Sequence, residues 1–357
     1  MDAAKVDWSM GSAAARLADW GTAAEIGRRV AGPGPGVPAV ERARMREHFA
    51  EMVPESERLI REFTGLSFEG FRARAWVMSR GEHVRANLDA LQRLMEPLAA
   101  RIVSDKPNRN EVRRKALGVQ VGGLLGYVSR RVLGQYDAFM PADDEGLLYF
   151  VGPNVAEAEQ KFALPQRDFR MWIALHEVTH RVQFGATPWL RNYLLRLIDT
   201  YFSTVNLDSK QFVQQLKRAA EEVRSGAEWR GAGAFFLLLT PEQRELFYRV
   251  QAVMSLLEGH ASYVMNELAR ERVKDLDRLR RSLDARRRTS GVERSFQRAI
   301  GFESKVKQYD AGEHFVRTVV DRADMATFNL VWSDEKALPN LAEVADPDLW
   351  LARVARS

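Results

Sequence analysis

The pentapeptide His176-Glu-Val-Thr-His180 constrains the fold of this chain more than any other feature. Its two histidines can bind one metal ion together only if the segment forms an α-helix. Residues four apart on an α-helix point to the same side, so both imidazoles can reach one metal ion. Glu177 projects about 100° from His176, close enough to polarise a water without binding the metal. The pattern predicts His176 and His180 as metal ligands and Glu177 as the catalytic base of a zinc hydrolase.

The residues around this pentapeptide favour a helix that faces the protein interior. We predict the helix over residues 168–184, with Asp168 as its N-cap. On that helix the two histidines share a face with Phe169, Trp172 and Ile173. An ordinary core helix, with two histidines hydrogen-bonded to their neighbours, is the alternative interpretation.

The chain has no cysteine, so a third ligand must be a histidine or a carboxylate. Glu258 is the best candidate, because a carboxylate on an apolar helix face is costly unless it is paired or binds metal. Its alternative role is a buried salt bridge to an arginine. His260 is the alternative ligand, but it projects about 200° from Glu258 and lies toward the polar side of the helix.

Several residues are candidates for supporting roles at such a site. Ser262, one turn after Glu258, is a candidate to orient a ligand. Tyr263, Tyr309 and His314 are candidates to stabilise the oxyanion of a tetrahedral intermediate. Each of them has a packing or surface role as its alternative.

Helical spacing of apolar residues dominates the chain and predicts a mainly α fold with minor β structure. The clearest helix start is Thr240-Pro-Glu-Gln243, which combines a threonine cap, a proline at the first helical position and a capping box. The clearest strand is the apolar run Gly146–Pro153. Helices are predicted over the first thirty residues and over 39–101 (interrupted at Pro54 and at Gly65 or Gly70), 110–134, 168–184, 240–272 and 306–321.

The predicted helix 110–134 contains four glycines, Gly118, Gly122, Gly123 and Gly126. Glycine costs about 1 kcal/mol in a helix interior relative to alanine. Their presence therefore predicts a buried helix that a neighbour approaches closely.

Charge and hydropathy exclude some other classes of protein. The net charge of +5 is small, and Asp275, Asp277 and Asp284 lie before and among the arginines of residues 278–288, so we predict no nucleic-acid partner. A binding site for an anionic partner is the alternative interpretation of that stretch. No apolar run reaches the length of a membrane span, and the N-terminus does not resemble a secretory signal. We expect a cytoplasmic protein without a membrane partner.

The chain resembles the bacterial zincin-like metallopeptidase family. Many members carry only the general description of hydrolase, and some carry a label linking them to biosynthesis of a deazaflavin coenzyme. The resemblance spans most of the chain and rests on the following segments: Val6–Trp8, the glycine-rich helix with Val132–Asp137, Gly152–Asn154, Asp168–Trp172, His176–Phe184, Pro188–Leu190, Leu257–Ala261, Gln308-Tyr309 with Gly312, Leu338-Pro339 and Asp346-Pro347.

The resemblance implies a zincin-like core in which one helix carries H-E-x-x-H and a second helix carries Glu258 as the third zinc ligand. Two positions depart from the pattern: Arg181 is charged where zincins usually have an uncharged residue, and Ser262 stands where gluzincins commonly have aspartate. We interpret residues 1–357 as a single large domain, with a possible helical subregion 1–110 packed on a catalytic region 111–357.

These observations predict a zinc-dependent peptidase or amidase that acts on a peptide or amide substrate. Zinc would lower the pKa of a water, Glu177 would take its proton, and the resulting hydroxide would attack a carbonyl. The alternative from another class of protein is a non-catalytic, zinc-stabilised scaffold or binding protein that retains the site.

Overall fold

The protein is described here by a computed structural model, which covers residues 12–70, 72–102, 111–138, 146–204, 239–270, 272, 281 and 304–355. These residues confirm the predicted mainly α fold with minor β structure. The helices are α1 (Ala13–Leu17), α2 (Trp20–Ala31), α3 (Ala39–Thr64), α4 (Arg80–Ile102), α5 (Glu111–Ser129), α6 (Gly152–Phe162), α7 (Gln166–Ala186), α8 (Pro188–Thr204), α9 (Pro241–Arg270), α10 (Ser304–Arg322), α11 (Met325–Phe328), α12 (Leu341–Ala345) and α13 (Pro347–Val354), with a 3₁₀ turn at Asn329–Trp332. The strands are β1 (Arg74–Met78), β2 (Gly134–Tyr136) and β3 (Leu147–Val151).

The described residues group into two compact units. The first contains those of Met1–Glu55 and Phe71–Ala174, and the second contains those of Ser56–Gly70 and Leu175–Ser357. Helices α3 and α7 contribute residues to both units. The single domain over residues 1–357 and its subregion 1–110 stay predictions.

The sheet lies in the first unit and has the strand order β1-β3-β2. The predicted strand forms as β3, which pairs in parallel with β1 and antiparallel with β2. On its inner face Phe150 stacks on Phe49 of α3, with ring centroids 3.8 Å apart. The predicted interruption at Gly65 or Gly70 is confirmed, since α3 ends at Thr64. The sequence did not predict the strand β1 that follows, because the tertiary pairing of Arg74–Met78 with β3 outweighs local preference.

Helix α5 confirms the close packing predicted from its glycines, but it is not buried on every side. A Cβ atom at Gly122 would lie 2.3 Å from the carbonyl oxygen of Ala23 on α2, nearer than any real Cβ approaches an oxygen. On the same helix the side chains of Val119 and Leu124 are exposed. Gly123 also faces away from α2, and a Cβ there would meet nothing within 4 Å.

Local sequence signals predicted the start of α9 correctly and the start of α7 incorrectly. The capping box before α9 is confirmed: Thr240 Oγ1 accepts from the Gln243 amide at 3.2 Å, and Gln243 Oε1 accepts from the Thr240 amide at 2.9 Å. Asp168 is not the N-cap of α7, because the helix begins at Gln166. The carboxylate instead lies in the first turn, where it stabilises the positive end of the helix. Pro54 was also wrongly placed as an interruption, since it lies inside α3.

The second unit contains a buried aromatic core in its C-terminal part. Phe315 of α10 lies edge-on to Trp350 of α13, with ring centroids 5.7 Å apart, and 6.4 Å from Phe328 of α11. All three rings are fully buried. Among the described residues, no helix combines the length and the apolar character that crossing a membrane requires. The arginine-rich stretch 278–288 lies outside the described residues, apart from Arg281.

Candidate metal centre

Three side chains converge in the second unit: His176 and His180, one turn apart on α7, and Glu258 on α9. The Nε2 atoms of His176 and His180 lie 3.5 and 3.7 Å from Oε2 of Glu258. The two imidazole rings are nearly perpendicular, with centroids 4.9 Å apart. The described part of the chain holds no other group of three such residues with this spacing.

These separations fit a single zinc ion. Zinc binds imidazole nitrogen and carboxylate oxygen at about 2.0–2.1 Å in tetrahedral sites, which places ligand atoms about 3.4 Å apart. Two imidazoles and one carboxylate are also a ligand set that catalytic zinc sites use. The residues present therefore fit the metal, and three protein ligands would leave a coordination position for water or substrate.

The carboxylate of Glu258 controls protonation of this cluster. Burial lowers the pKa of His180, but the hydrogen bond and the charge of Glu258 outweigh burial and raise this pKa to about 9. Burial opposes ionisation of Glu258 too, yet hydrogen bonds with His176 and His180 hold the pKa of Glu258 well below its usual range. Glu258 is therefore ionised at neutral pH, and His180 carries a proton that a cation must displace.

Zinc binding should accordingly release a proton. At about pH 7.5 the metal-free protein lies below the His180 pKa of about 9, and zinc binds only imidazole that has lost this proton. We expect about one proton to be released per zinc bound, and zinc affinity to rise as the pH increases toward about 9. Calorimetric titrations in buffers of different ionisation enthalpy measure the release; zinc uptake without it would contradict the ion pair.

Glu177, the predicted catalytic base, lies on α7 beside the ligands. It is only 8% exposed. Its charge acts on the cluster, because it contributes, after Glu258, to the raised pKa of His180. The role of Glu177 as the catalytic base stays a prediction.

His260, the alternative third ligand, does not join the cluster. Its ring is fully buried and stacks on Phe328 at 5.1 Å, with Trp332 at 5.4 Å. The expectation that it lies toward the polar side of α9 was wrong, because these C-terminal residues cover it. Burial, followed by the charge of His180, lowers the pKa of His260 to about 3, so the ring is neutral.

Gln183 is a residue of the site that our sequence analysis did not identify. It is fully buried on α7. Its Oε1 lies 2.9 Å from Nδ1 of His180, and its Nε2 lies 2.8 Å from the carbonyl oxygen of Leu257 and 2.9 Å from Nδ1 of His260. The available signal was its position three residues after His180, a spacing at which helical side chains contact each other.

The unusual charge of Arg181 is compensated on another side of α7. One guanidinium nitrogen lies 2.9 Å from Oε2 of Glu57, and the guanidinium lies over the Phe68 ring at 4.8 Å from its centroid. Glu57 also pairs with Arg61 at 2.7 Å. Arg181 is only 2% exposed, so the position after the second histidine serves a buried ion pair of the fold.

A close backbone crossing fixes the position of Glu258. The next residue, Gly259, meets Gly312 of α10, where a Cβ at Gly259 would lie 2.1 Å from the carbonyl carbon of Gly312. A Cβ at Gly312 would lie 2.1 Å from the carbonyl oxygen of Ser255. Both positions require glycine, because any side chain would force the two helices apart.

Gly312→Ala should therefore weaken both the fold and the metal centre. We expect a loss of about 1–3 kcal/mol in the free energy of unfolding and weaker zinc binding, since α9 must move with Glu258. Denaturant unfolding and competition with a chelator measure the two effects.

Gly123→Ala is the matched control, because a Cβ there meets nothing within 4 Å. This change should stabilise the protein by up to about 1 kcal/mol and leave zinc affinity unchanged. A Gly312→Ala protein as stable as the wild type would contradict the role of the crossing.

Two of the three predicted oxyanion-stabilising residues have other surroundings. The Tyr263 ring lies 6.2 Å from that of Phe63, and the Arg317 guanidinium lies 5.2 Å from it. Burial, and then the charge of Glu267, raises the pKa of Tyr263. His314 is exposed on α10. Within the described residues no hydrogen bond or ring contact joins either residue to the three ligands, and their catalytic role stays a prediction.

Ser262 and Tyr309 are the remaining candidates for supporting roles. Ser262, proposed to orient a ligand, is 9% exposed on α9. The Tyr309 side chain lies outside the part of the chain that the structure describes.

A helix that carries H-E-x-x-H, with a glutamate from a second helix beside its two histidines, is typical of zincin metallopeptidases. Comparison with known proteins agrees: the model of zincin-like metallopeptidases matches residues 18–351. The chain belongs to the zincin-like metallopeptidase family, as its resemblance indicated. Family membership indicates a metal-dependent hydrolase.

One solved structure is similar over nearly the whole chain. It is that of a candidate hydrolase with a novel fold from Chloroflexus aurantiacus, 33% identical to this chain, with a TM-score of 0.72. The alignment covers 96% of this chain and 100% of that one. No curated protein matches the sequence.

Proposed function

We propose that this protein is a zinc-dependent hydrolase of peptide or other amide bonds. The convergence of His176, His180 and Glu258 carries the proposal, because two imidazoles and one carboxylate form the open three-ligand set of a catalytic zinc site. The family, defined by metallopeptidases, supports the amide class of substrate. Nucleic acid is not part of the proposal, since the net charge is only +5.

Zinc in this site would lower the pKa of a water and polarise the carbonyl of the scissile bond. His176, His180 and Glu258 would hold the ion. Glu177 takes the proton of the attacking water and then delivers it to the leaving amine. Two carboxylates thus have different tasks: Glu258 is committed to its two histidines, while Glu177 moves the proton.

The substitution Glu177→Gln separates these tasks. It removes the base and preserves the ligands, so zinc should bind as in the wild type while hydrolysis falls at least about a hundredfold. Turnover of a quenched fluorescent peptide library and zinc content by elemental analysis are the two measurements.

Glu62→Gln provides a matched control, because Glu62 is exposed on α3 and pairs only with the exposed Arg58 among the contacts described. Its rate of peptide hydrolysis and its zinc content should equal those of the wild type. Unchanged hydrolysis by the Glu177→Gln protein would contradict the mechanism.

A zinc-stabilised scaffold is the second candidate function, and one observation favours it: the ligands join α7 to a distant part of the chain, α9. Metal bound there would brace the second unit whether or not catalysis followed. Unfolding on chelation, together with no cleavage across the library by the zinc-loaded wild type, would support the scaffold over the hydrolase.

A further inference from the structure

We propose that Gln183 positions the ligand His180 by fixing which of its ring nitrogens faces the metal, and that His260 in turn holds Gln183. The proposal rests on the metal site of the proposed function, but it does not depend on hydrolysis. Gln183 is not among the three clustered ligands, so its role is positioning.

The orientation of the Gln183 amide follows from its partners. The carbonyl oxygen of Leu257 can only accept a hydrogen bond, so the amide atom 2.8 Å away must be the NH₂ group, Nε2. The opposite orientation would place two oxygens against each other. The carbonyl end, Oε1, therefore faces Nδ1 of His180 at 2.9 Å.

This orientation determines the tautomer of His180. Oε1 of an amide only accepts, so Nδ1 of His180 must carry a proton and donate it. A metal-bound imidazole has only one proton, which leaves the Nε2 lone pair free for the ion. Nε2 is also the atom that lies 3.7 Å from Oε2 of Glu258. Gln183 thus presents to the cluster the nitrogen that is placed to bind.

The same amide determines which ring nitrogen of His260 carries the proton. The second hydrogen of Gln183 Nε2 points to Nδ1 of His260, 2.9 Å away, and that nitrogen must therefore be an unprotonated acceptor. His260 carries its proton on Nε2. His260 is buried and neutral and is not one of the metal ligands. Its role is to complete the anchoring of the Gln183 amide.

The two ligand histidines differ in this respect. Nδ1 of His176 is buried and has no hydrogen-bond partner within the described residues. His180 is the ligand whose ring orientation the protein specifies through a buried side chain. Loss of such a partner typically weakens metal binding about 10- to 100-fold.

Gln183→Met tests the proposal, because methionine has a similar length and replaces the amide by a thioether, which donates no hydrogen bond and accepts only weakly. We expect its zinc dissociation constant, from competition with a chelator, to rise about 10- to 100-fold. Gln166→Met is the matched control: Gln166 also bonds carboxylates from α7, but it lies ten residues before His176. Its zinc affinity should equal that of the wild type; equal affinity in the Gln183→Met protein would overturn the proposal.

His260 provides a graded test that packing alone would not produce. His260→Asn keeps an acceptor near the position of Nδ1 and should retain zinc affinity better than His260→Phe. The phenylalanine variant loses one of two anchoring hydrogen bonds and should bind about fivefold more weakly. Weaker binding by the asparagine variant than by the phenylalanine variant would contradict the anchoring role.

Nitrogen-15 NMR of histidine-labelled protein reads the tautomers directly. We expect the single proton of His260 on Nε2, with or without zinc, and the proton of zinc-bound His180 on Nδ1. A proton on Nδ1 of His260 would overturn the proposal. If the wild type bound no zinc, the proposed function would fail, yet the tautomer of His260 in the metal-free protein would still decide whether Gln183 is anchored as we propose.

Discussion

The carboxylate of Glu258, held between two imidazoles, is the interaction on which the rest of the site depends. Removing a carboxylate from water is costly unless an opposite charge or a metal compensates it. Here His176 and His180 do so at 3.5 and 3.7 Å. Because the ligands come from α7 and α9, the compensation works only if both helices keep their positions. The crossing at Gly259 and Gly312 therefore contributes to the electrostatics as well as to packing.

The parts of the site that could be predicted from the sequence are those with local geometry. The spacing of His176, Glu177 and His180 requires only a helix, and the capping box at Thr240 requires only its own four residues. Glu258 could be chosen over His260 because an acidic residue on an apolar helix face needs compensation. The mainly α character follows for the same reason, since helical periodicity is a property of each segment alone.

The parts that could not be predicted depend on partners distant in the sequence. Strand β1 has no strong pattern of its own and exists because β3 pairs with it. His260 seemed half-polar on a helical wheel, which cannot include the Phe328 and Trp332 rings that cover it. The requirement for glycine at position 312 could not be predicted, because it arises only where α10 crosses α9. Such tertiary constraints leave no periodic trace in one sequence.

His180 and the residues that follow it on α7 show how one helix can fix the orientation of a metal-binding side chain. Successive residues on α7 point about 100° apart, so His180, Arg181 and Gln183 leave the helix in different directions. His180 faces Glu258, Arg181 reaches Glu57, and Gln183 bonds across to α9. An ion pair on one side and an amide on another both resist rotation of the helix about its axis. The imidazole is then fixed in direction by the helix and in tautomer by the amide, which is the preorganisation that a metal ligand requires.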